Sequence, residues 1–201
     1  MRIGIVGSAG TGKTTLAKAL AKHLHSTYIP DTVLAVLRDR GRDSWQGVVA
    51  GDRRRIREDA LRRKVSLEAA AEDFVSDKTA IDYLAYWLQN QSDQEIRATN
   101  EEFLNQCKEA ALRYDLLVCL PYRAEVEFAI GRNQDPVHNL KVAAHKRGLL
   151  ELLGFPFVVA PYTFGEDLDA WCQRYLQVPA EKAEVLAKTK KRAKAAVSPT
   201  R

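Results

Sequence analysis

Near the start of the chain, Gly7-Ser8-Ala9-Gly10-Thr11-Gly12-Lys13-Thr14 has the spacing G-x-x-x-x-G-K-[ST], and Thr15 continues it. Backbone amides can close on phosphate oxygens only where no Cβ intervenes and where dihedrals open to glycine are available. The start of a helix directly behind adds unpaired N–H groups and the positive end of its dipole. Lys13 is then placed for the β- and γ-phosphates, and the Thr14 hydroxyl for Mg²⁺. Ile3, Ile5 and Val6 before the loop, and helically spaced leucines after it, supply the strand and helix that the pattern requires. The expected ligand is a nucleoside triphosphate.

Switches, motors and phosphotransferases all bind triphosphates, so other residues have to separate them. A guanine-reading N-K-x-D and a D-x-x-G switch are both missing. Leu116-Leu117-Val118-Cys119-Leu120 ends in Pro121, not in the Asp-Glu pair expected of a motor ATPase. A kinase needs a carboxylate in the metal shell, another near the attacking hydroxyl, and basic residues over the transferred phosphoryl. Asp77 follows Phe74-Val75-Ser76 and could orient Mg²⁺ or its waters; Asp31 follows Ile29-Pro30 and could accept the hydroxyl proton. Arg123 and Arg132 lie in residues 121–140, a natural lid. Each aspartate has an alternative role, because an aspartate at a strand end often caps the next helix.

Those residues must be carried by elements that bring them together. Short apolar runs predict strands near 2–7, 27–30, 74–77, 116–120 and 157–160, the last two as strands buried on both faces. Between them, apolar residues at helical spacing predict helices over 15–24, 32–40, 53–73, 79–89, 136–153 and 167–176, and Thr99-Asn100-Glu101-Glu102 reads as a capping box opening another. Strands alternating with helices imply an α/β fold, a parallel sheet covered on both faces, with ligands at the carboxyl ends of the strands. Residues 53–64 are rich in arginine. They read either as a solvated face relieved by Asp52, Glu58 and Asp59 or as a face turned to the acceptor. Tyr83, Tyr86 and Trp87 could stack a base or pack in the core.

At 201 residues the default is one domain, set at residues 1–179, with a tail over 180–201. Residues 181–201 hold seven Lys/Arg and two Glu, so the tail carries the whole net charge of +5; the remaining 24 basic and 24 acidic residues cancel. Three scattered cysteines form no disulfide framework, no apolar run could span a membrane, and a strand entering the phosphate loop leaves no room for a signal peptide. The expected compartment is the cytosol. The histidines form no metal-ligand spacing, so Mg²⁺ is the only metal implied.

Residues 7–14, Ile29-Pro30-Asp31-Thr32-Val33 and the stretch 75–86 (VSDKTAIDYLAY) together resemble the P-loop nucleoside and nucleotide kinases, nearest the NadR-like AAA-type ATPase/kinase family that includes ribosylnicotinamide kinases. Residues 113–121 and 154–159 match that family's fourth and fifth strands in order and spacing. The resemblance implies a five-stranded sheet of order 2-3-1-4-5 and transfer of the γ-phosphoryl group of ATP to a nucleoside, a nucleotide or a related small metabolite. Asp31 stands where deoxynucleoside kinases usually carry a glutamate that meets the acceptor hydroxyl. Asp77-Lys78-Thr79 resembles an Asp/Glu-Arg-Ser/Thr motif, but Lys78 cannot make the bidentate phosphate contact of an arginine. The lid also lacks an Asp-Gly-x-Arg run before Arg132. Two alternatives stay open. One is a polynucleotide acceptor (a 5′-hydroxyl or a hydroxymethylated base) held through the basic segments 53–64 and 182–194. The other is a regulatory module with slow hydrolysis. A homodimer is compatible with either.

Overall fold

The computed structural model describes residues 1–89, 97–123 and 135–176. Five parallel strands form one sheet in the order β2-β3-β1-β4-β5: β1 (Arg2–Val6), β2 (Thr27–Ile29), β3 (Phe74–Asp77), β4 (Leu116–Cys119) and β5 (Phe157–Val159). The expected α/β sandwich and its strand order are therefore present. β1 lies at the centre, between β3 and β4, so the phosphate loop leaves the middle of the sheet. Gly4 lets β1 sit there, since a Cβ at that position would come within 2.6 Å of Thr79 and 2.7 Å of Leu117.

The helices are α1 (Lys13–His23), α2 (Val33–Asp39), α3 (Ala50–Ala69), α4 (Ala80–Gln89), α5 (Arg97–Ala111), α6 (Pro136–Leu152) and α7 (Leu168–Tyr175). One face of the sheet is covered by α1 and α7, which bury Leu16, Leu20 and Trp171 against Ile3, Ile5, Val75 and Val118. The other face carries the larger cluster, with Ile56, Ile81, Leu84, Trp87 and Phe103 from α3, α4 and α5 over Phe74 and Leu117. Burial of these apolar side chains, each contributing on the order of 1.5–3 kcal/mol, holds the two layers to the sheet. Among the described residues no helix is long and apolar enough to cross a membrane.

Two local expectations are corrected. β5 is not buried on both faces: among the described residues it pairs with β4 alone, and Val159 is 42% exposed. Thr99, the expected cap, lies within α5 (Arg97–Ala111) and not before it. α4 is buried nearly all round, Ala80 through Ala85 and Trp87, because it is packed between α5 and α6 over the sheet. Arg132, most of the expected lid and the basic tail lie outside the described residues.

Candidate active site

The loop from Gly7 to Gly12 turns through two left-handed residues, Gly10 (φ 77) and Gly12 (φ 88), and delivers Lys13 and Thr14 to the first turn of α1. Lys13 donates to the Ser8 carbonyl at 2.5 Å, folding its ammonium back over the loop. Ser8 and Thr11 are buried, and the Thr11 hydroxyl donates to the Ser8 carbonyl at 3.0 Å. Thr15 is exposed on α1. Burial, then the neighbouring Lys146 ammonium, pushes Lys13 down to about 7, against the opposing pull of Asp82 and Asp77.

Asp77, the last residue of β3, accepts a 2.7 Å hydrogen bond from the Thr14 hydroxyl and a 3.3 Å bond from Tyr28. Asp31 follows β2, the neighbouring edge strand. One oxygen accepts from the Val33 amide (3.0 Å) and the Tyr83 hydroxyl (3.2 Å), the other from Lys78 (3.0 Å). The Asp31 carboxylate tethers the first turn of α2 through the Val33 amide and also lines the cavity. Asp77 is not a helix cap in this sense; its side chain is spent on Thr14 and Tyr28. Burial would raise the Asp31 carboxyl, but Lys78, the Val33 amide and Lys64 outweigh it and hold the group below its ordinary range. Lys78 itself has φ +67, a left-handed conformation that a lysine adopts only under constraint from its surroundings. That backbone turn carries its ammonium to Asp31 and over the rings of Tyr83 (5.4 Å) and Tyr86 (5.2 Å).

Lys13, Thr14, Asp31, Asp77 and Lys78 line one cavity of about 560 Å³. Tyr83 and Tyr86 line it as well, whereas Trp87 does not: it is buried and stacked on Phe103 at 4.0 Å. Of the arginine-rich segment, Arg53 and Arg57 face the cavity, and Arg62 and Arg63 are on the solvated face with Asp59 and Asp39. Arg123 does not line the cavity; its guanidinium donates to the Tyr162 carbonyl at 2.8 Å.

Three residues that build the site carry no local motif. Asp82, on α4, is fully buried: it accepts from Lys146 (2.8 Å), from the Thr79 amide (2.8 Å) and from the Gly7 amide (3.4 Å). Lys146, on α6, also donates to the Gly7 carbonyl at 2.5 Å, so an ion pair clamps the entry of the phosphate loop. Lys64, on α3, has 0% exposure and donates to the carbonyls of Pro30 (2.7 Å), Asp77 (2.7 Å) and Ile29 (3.4 Å). It joins the ends of β2 and β3, the two strands that present Asp31 and Asp77. Burial pushes Lys64 down to about 8, with Glu68 opposing most strongly. A signal for Lys64 existed in the spacing of Ile56, Ala60 and Leu61, whose buried stripe on α3 continues through 64 and 68.

The Thr14 hydroxyl and the Asp77 carboxylate are hard oxygen donors placed side by side, a set that suits Mg²⁺ better than a softer metal. Among the described residues no group of three or more His, Cys, Asp or Glu could hold a metal by themselves. An Mg²⁺ carried in with the phosphates needs no such group.

With this geometry in place, residues 2–167 match the family described as AAA domain. The chain belongs to the AAA domain family. No curated protein matches the sequence. Solved structures similar to this AAA domain include a deoxyadenosine kinase from M. mycoides with bound dATP, at 14% identity and a TM-score of 0.59, covering 87% of this chain and 96% of that one. They also include the NadR protein in complex with NR (15% identity, TM-score 0.61, 88% of this chain and 51% of that one) and NadR with NAD and AMP-PNP (15%, 0.58, 99% and 50%). This AAA domain therefore spans about half the length of NadR. At such identities the likeness is one of fold: a P-loop, nucleoside-kinase-like fold near that of NadR.

Proposed function

We propose that the chain is an ATP-dependent phosphotransferase that moves the γ-phosphoryl group to a hydroxyl of a nucleoside, a nucleotide or a related small metabolite. The observation that carries this reading is that Asp31, just after β2 beside the end of β3, lines the same cavity as Lys13, Thr14 and Asp77. A switch or a slow hydrolase needs the last three and has no use for a carboxylate beside an acceptor site. The nucleotides named with the similar structures, dATP and AMP-PNP, support ATP as the donor.

In the proposed mechanism, the amides of residues 7–14 and the Lys13 ammonium hold the β- and γ-phosphates, and Thr14 and Asp77 hold Mg²⁺. When bound, Mg²⁺ neutralises charge on the phosphate oxygens. The acceptor oxygen forms a bond to the γ-phosphorus as the bond from that phosphorus to the β–γ bridging oxygen breaks, and ADP leaves. Asp31 accepts the hydroxyl hydrogen. Held ionised by Lys78 and the Val33 amide, it aligns the nucleophile first and takes the proton late, as suits a loose transition state with little charge on the entering oxygen. Lys78, within 3.0 Å of Asp31, sits where it can follow the transferred group as a point charge. Of the two arginines considered for the lid, Arg123 donates to the Tyr162 carbonyl, and Arg132 lies outside the described residues.

Incubation with labelled ATP and a panel of nucleosides, nucleotides, nicotinamide riboside and DNA tests the reading. Label should appear on a small acceptor, and Lys13→Ala should abolish its appearance. Asp31→Asn should retain donor binding while transfer falls by about a hundredfold or more. Slow phosphate release with no labelled acceptor would sink the proposal, and full turnover in Asp31→Asn would remove that residue from it.

A further inference from the structure

Donor binding gives no task to one hydroxyl that touches the acceptor-side carboxylate. Tyr83, on α4, is only 1% exposed, and its oxygen is where Asp31 and Thr32 meet. The hydrogens around it follow from the oxygen types. Thr32 Oγ1 lies 2.6 Å from the Ala60 carbonyl, which can only accept, so the Thr32 hydrogen is spent there. The 2.8 Å contact between Thr32 Oγ1 and the Tyr83 oxygen then needs the Tyr83 hydrogen. Asp31 Oδ1, 3.2 Å from the same oxygen, needs that hydrogen too. The Thr32 amide donates to the Tyr83 oxygen at 3.4 Å and takes neither place. One hydrogen therefore faces two acceptors, a carboxylate and a hydroxyl.

The same bonds distinguish the two oxygens of Asp31. A carboxylate offers about four lone-pair positions. Oδ1 accepts from two donors, the Val33 amide and Tyr83, and Oδ2 from one, Lys78. Among the described residues, Oδ2 is thus the oxygen with room for a further donor, and a hydroxyl bound there lies next to the Lys78 ammonium.

We infer that Tyr83 is a positioning residue for Asp31: it fills Oδ1 so that Oδ2 takes the acceptor hydroxyl, and its hydrogen turns from Oδ1 to Thr32 when Oδ2 gains the proton. This rests on the proposed function for the acceptor hydroxyl. While Asp31 is ionised, the charge-assisted bond from Tyr83 is the stronger option despite its length. Once the carboxyl is neutral that advantage is gone, and the shorter bond to Thr32 is preferred. The O–H bond of Tyr83 stays intact throughout; the only proton transferred is the acceptor's, to Oδ2. A buried hydroxyl thereby keeps a partner both before and after transfer.

The test uses the full chain with ¹³C-labelled aspartate carboxyls, the Asp31 signal being assigned from Asp31→Asn. Among the described residues, the titratable groups that face Asp31 are Lys78, Lys64, Tyr28 and Tyr83, and of these only Tyr83 is altered. Tyr83→Phe keeps the ring and removes the hydrogen, so the Asp31 titration should move up by about one unit, a tenfold tighter hold on the proton. Thr32→Val keeps the side-chain shape and removes the competing acceptor, so the Tyr83 hydrogen stays on Oδ1 and the titration should move down. Opposite shifts are the mark of a shared hydrogen; a general loosening of the site would not produce them. In the labelling assay Tyr83→Phe should lower kcat by about tenfold with the KM for ATP unchanged, and the acid limb of the pH profile should rise with Asp31. Retained AMP-PNP binding reports an intact fold, and if Tyr83→Phe does not fold, the downward shift in Thr32→Val decides. An unmoved Asp31 titration in Tyr83→Phe, or shifts of the same sign in both variants, overturns the inference. If both shifts appear and no acceptor is ever labelled, the positioning of Asp31 stands and the phosphotransferase reading fails.

Discussion

Lys13 is poised to change protonation when the donor arrives. Burial and the nearby Lys146 ammonium lower it to about 7, whereas an exposed lysine titrates above 10. A triphosphate placed against it restores a strong preference for the ammonium form. Above pH 7 the free protein therefore holds Lys13 largely neutral and the complex holds it charged, so binding takes up a proton. By linkage, affinity for AMP-PNP should fall as pH rises from about 7 to 9, by up to tenfold per unit. Calorimetry in buffers of different ionisation enthalpy should find uptake approaching one proton at pH 8 and little at pH 6. Lys13→Met separates the lysine from the ionisation of the nucleotide, because the uptake should vanish in that variant. A pH-independent affinity across this range would mean that Lys13 stays charged in the free protein.

At the scale of elements, the acceptor side depends on how the ends of β2 and β3 are tied together, and Lys64 of α3 makes that tie. Lys64→Met keeps the volume and removes the donor, leaving the buried Asp77 carbonyl and the part-buried Pro30 carbonyl without it. The expected cost is about 2 kcal/mol, read from denaturant unfolding. Because Asp31 and Asp77 lose their common support, transfer should drop far more than AMP-PNP binding, which rests on the loop. A variant with lowered stability and undiminished turnover would show that Lys64 supports the fold and not the site. The same elements explain what was legible beforehand. Asp31 and Asp77 could be found because each ends an apolar run, and strand ends are where α/β sheets place ligands. Lys64 was hidden in a run of arginines of identical charge, and Asp82 and Lys146 have partners brought close only by the fold: Gly7 is 75 residues from the first and 139 from the second. Sheet position was equally invisible for β5, whose apolar run reads like that of β4 although among the described residues it has a neighbour on one side only.

For the whole molecule, the decisive quantity is where the charge lies. Residues 181–201 account for the entire net charge of +5, and the rest of the chain is neutral. Attraction to a polyanion is then expected of the tail, while Arg53 and Arg57 line the cavity together with Asp31 and Asp77. A small acceptor and a polynucleotide therefore make opposite demands on the same chain. Replacing Lys188, Lys190, Lys191 and Lys194 with glutamine removes four of the tail's charges and changes none of the described residues that line the cavity. DNA binding, followed by anisotropy against salt, should weaken, and its log–log salt slope should fall by about 3, the share expected of four phosphate contacts. Labelling of a small acceptor should stay within about twofold, since each group that touches donor or acceptor in the proposed mechanism remains. If the substituted chain loses transfer to small acceptors together with DNA binding, the tail belongs to the acceptor site, and a polynucleotide becomes the better reading of what this chain phosphorylates.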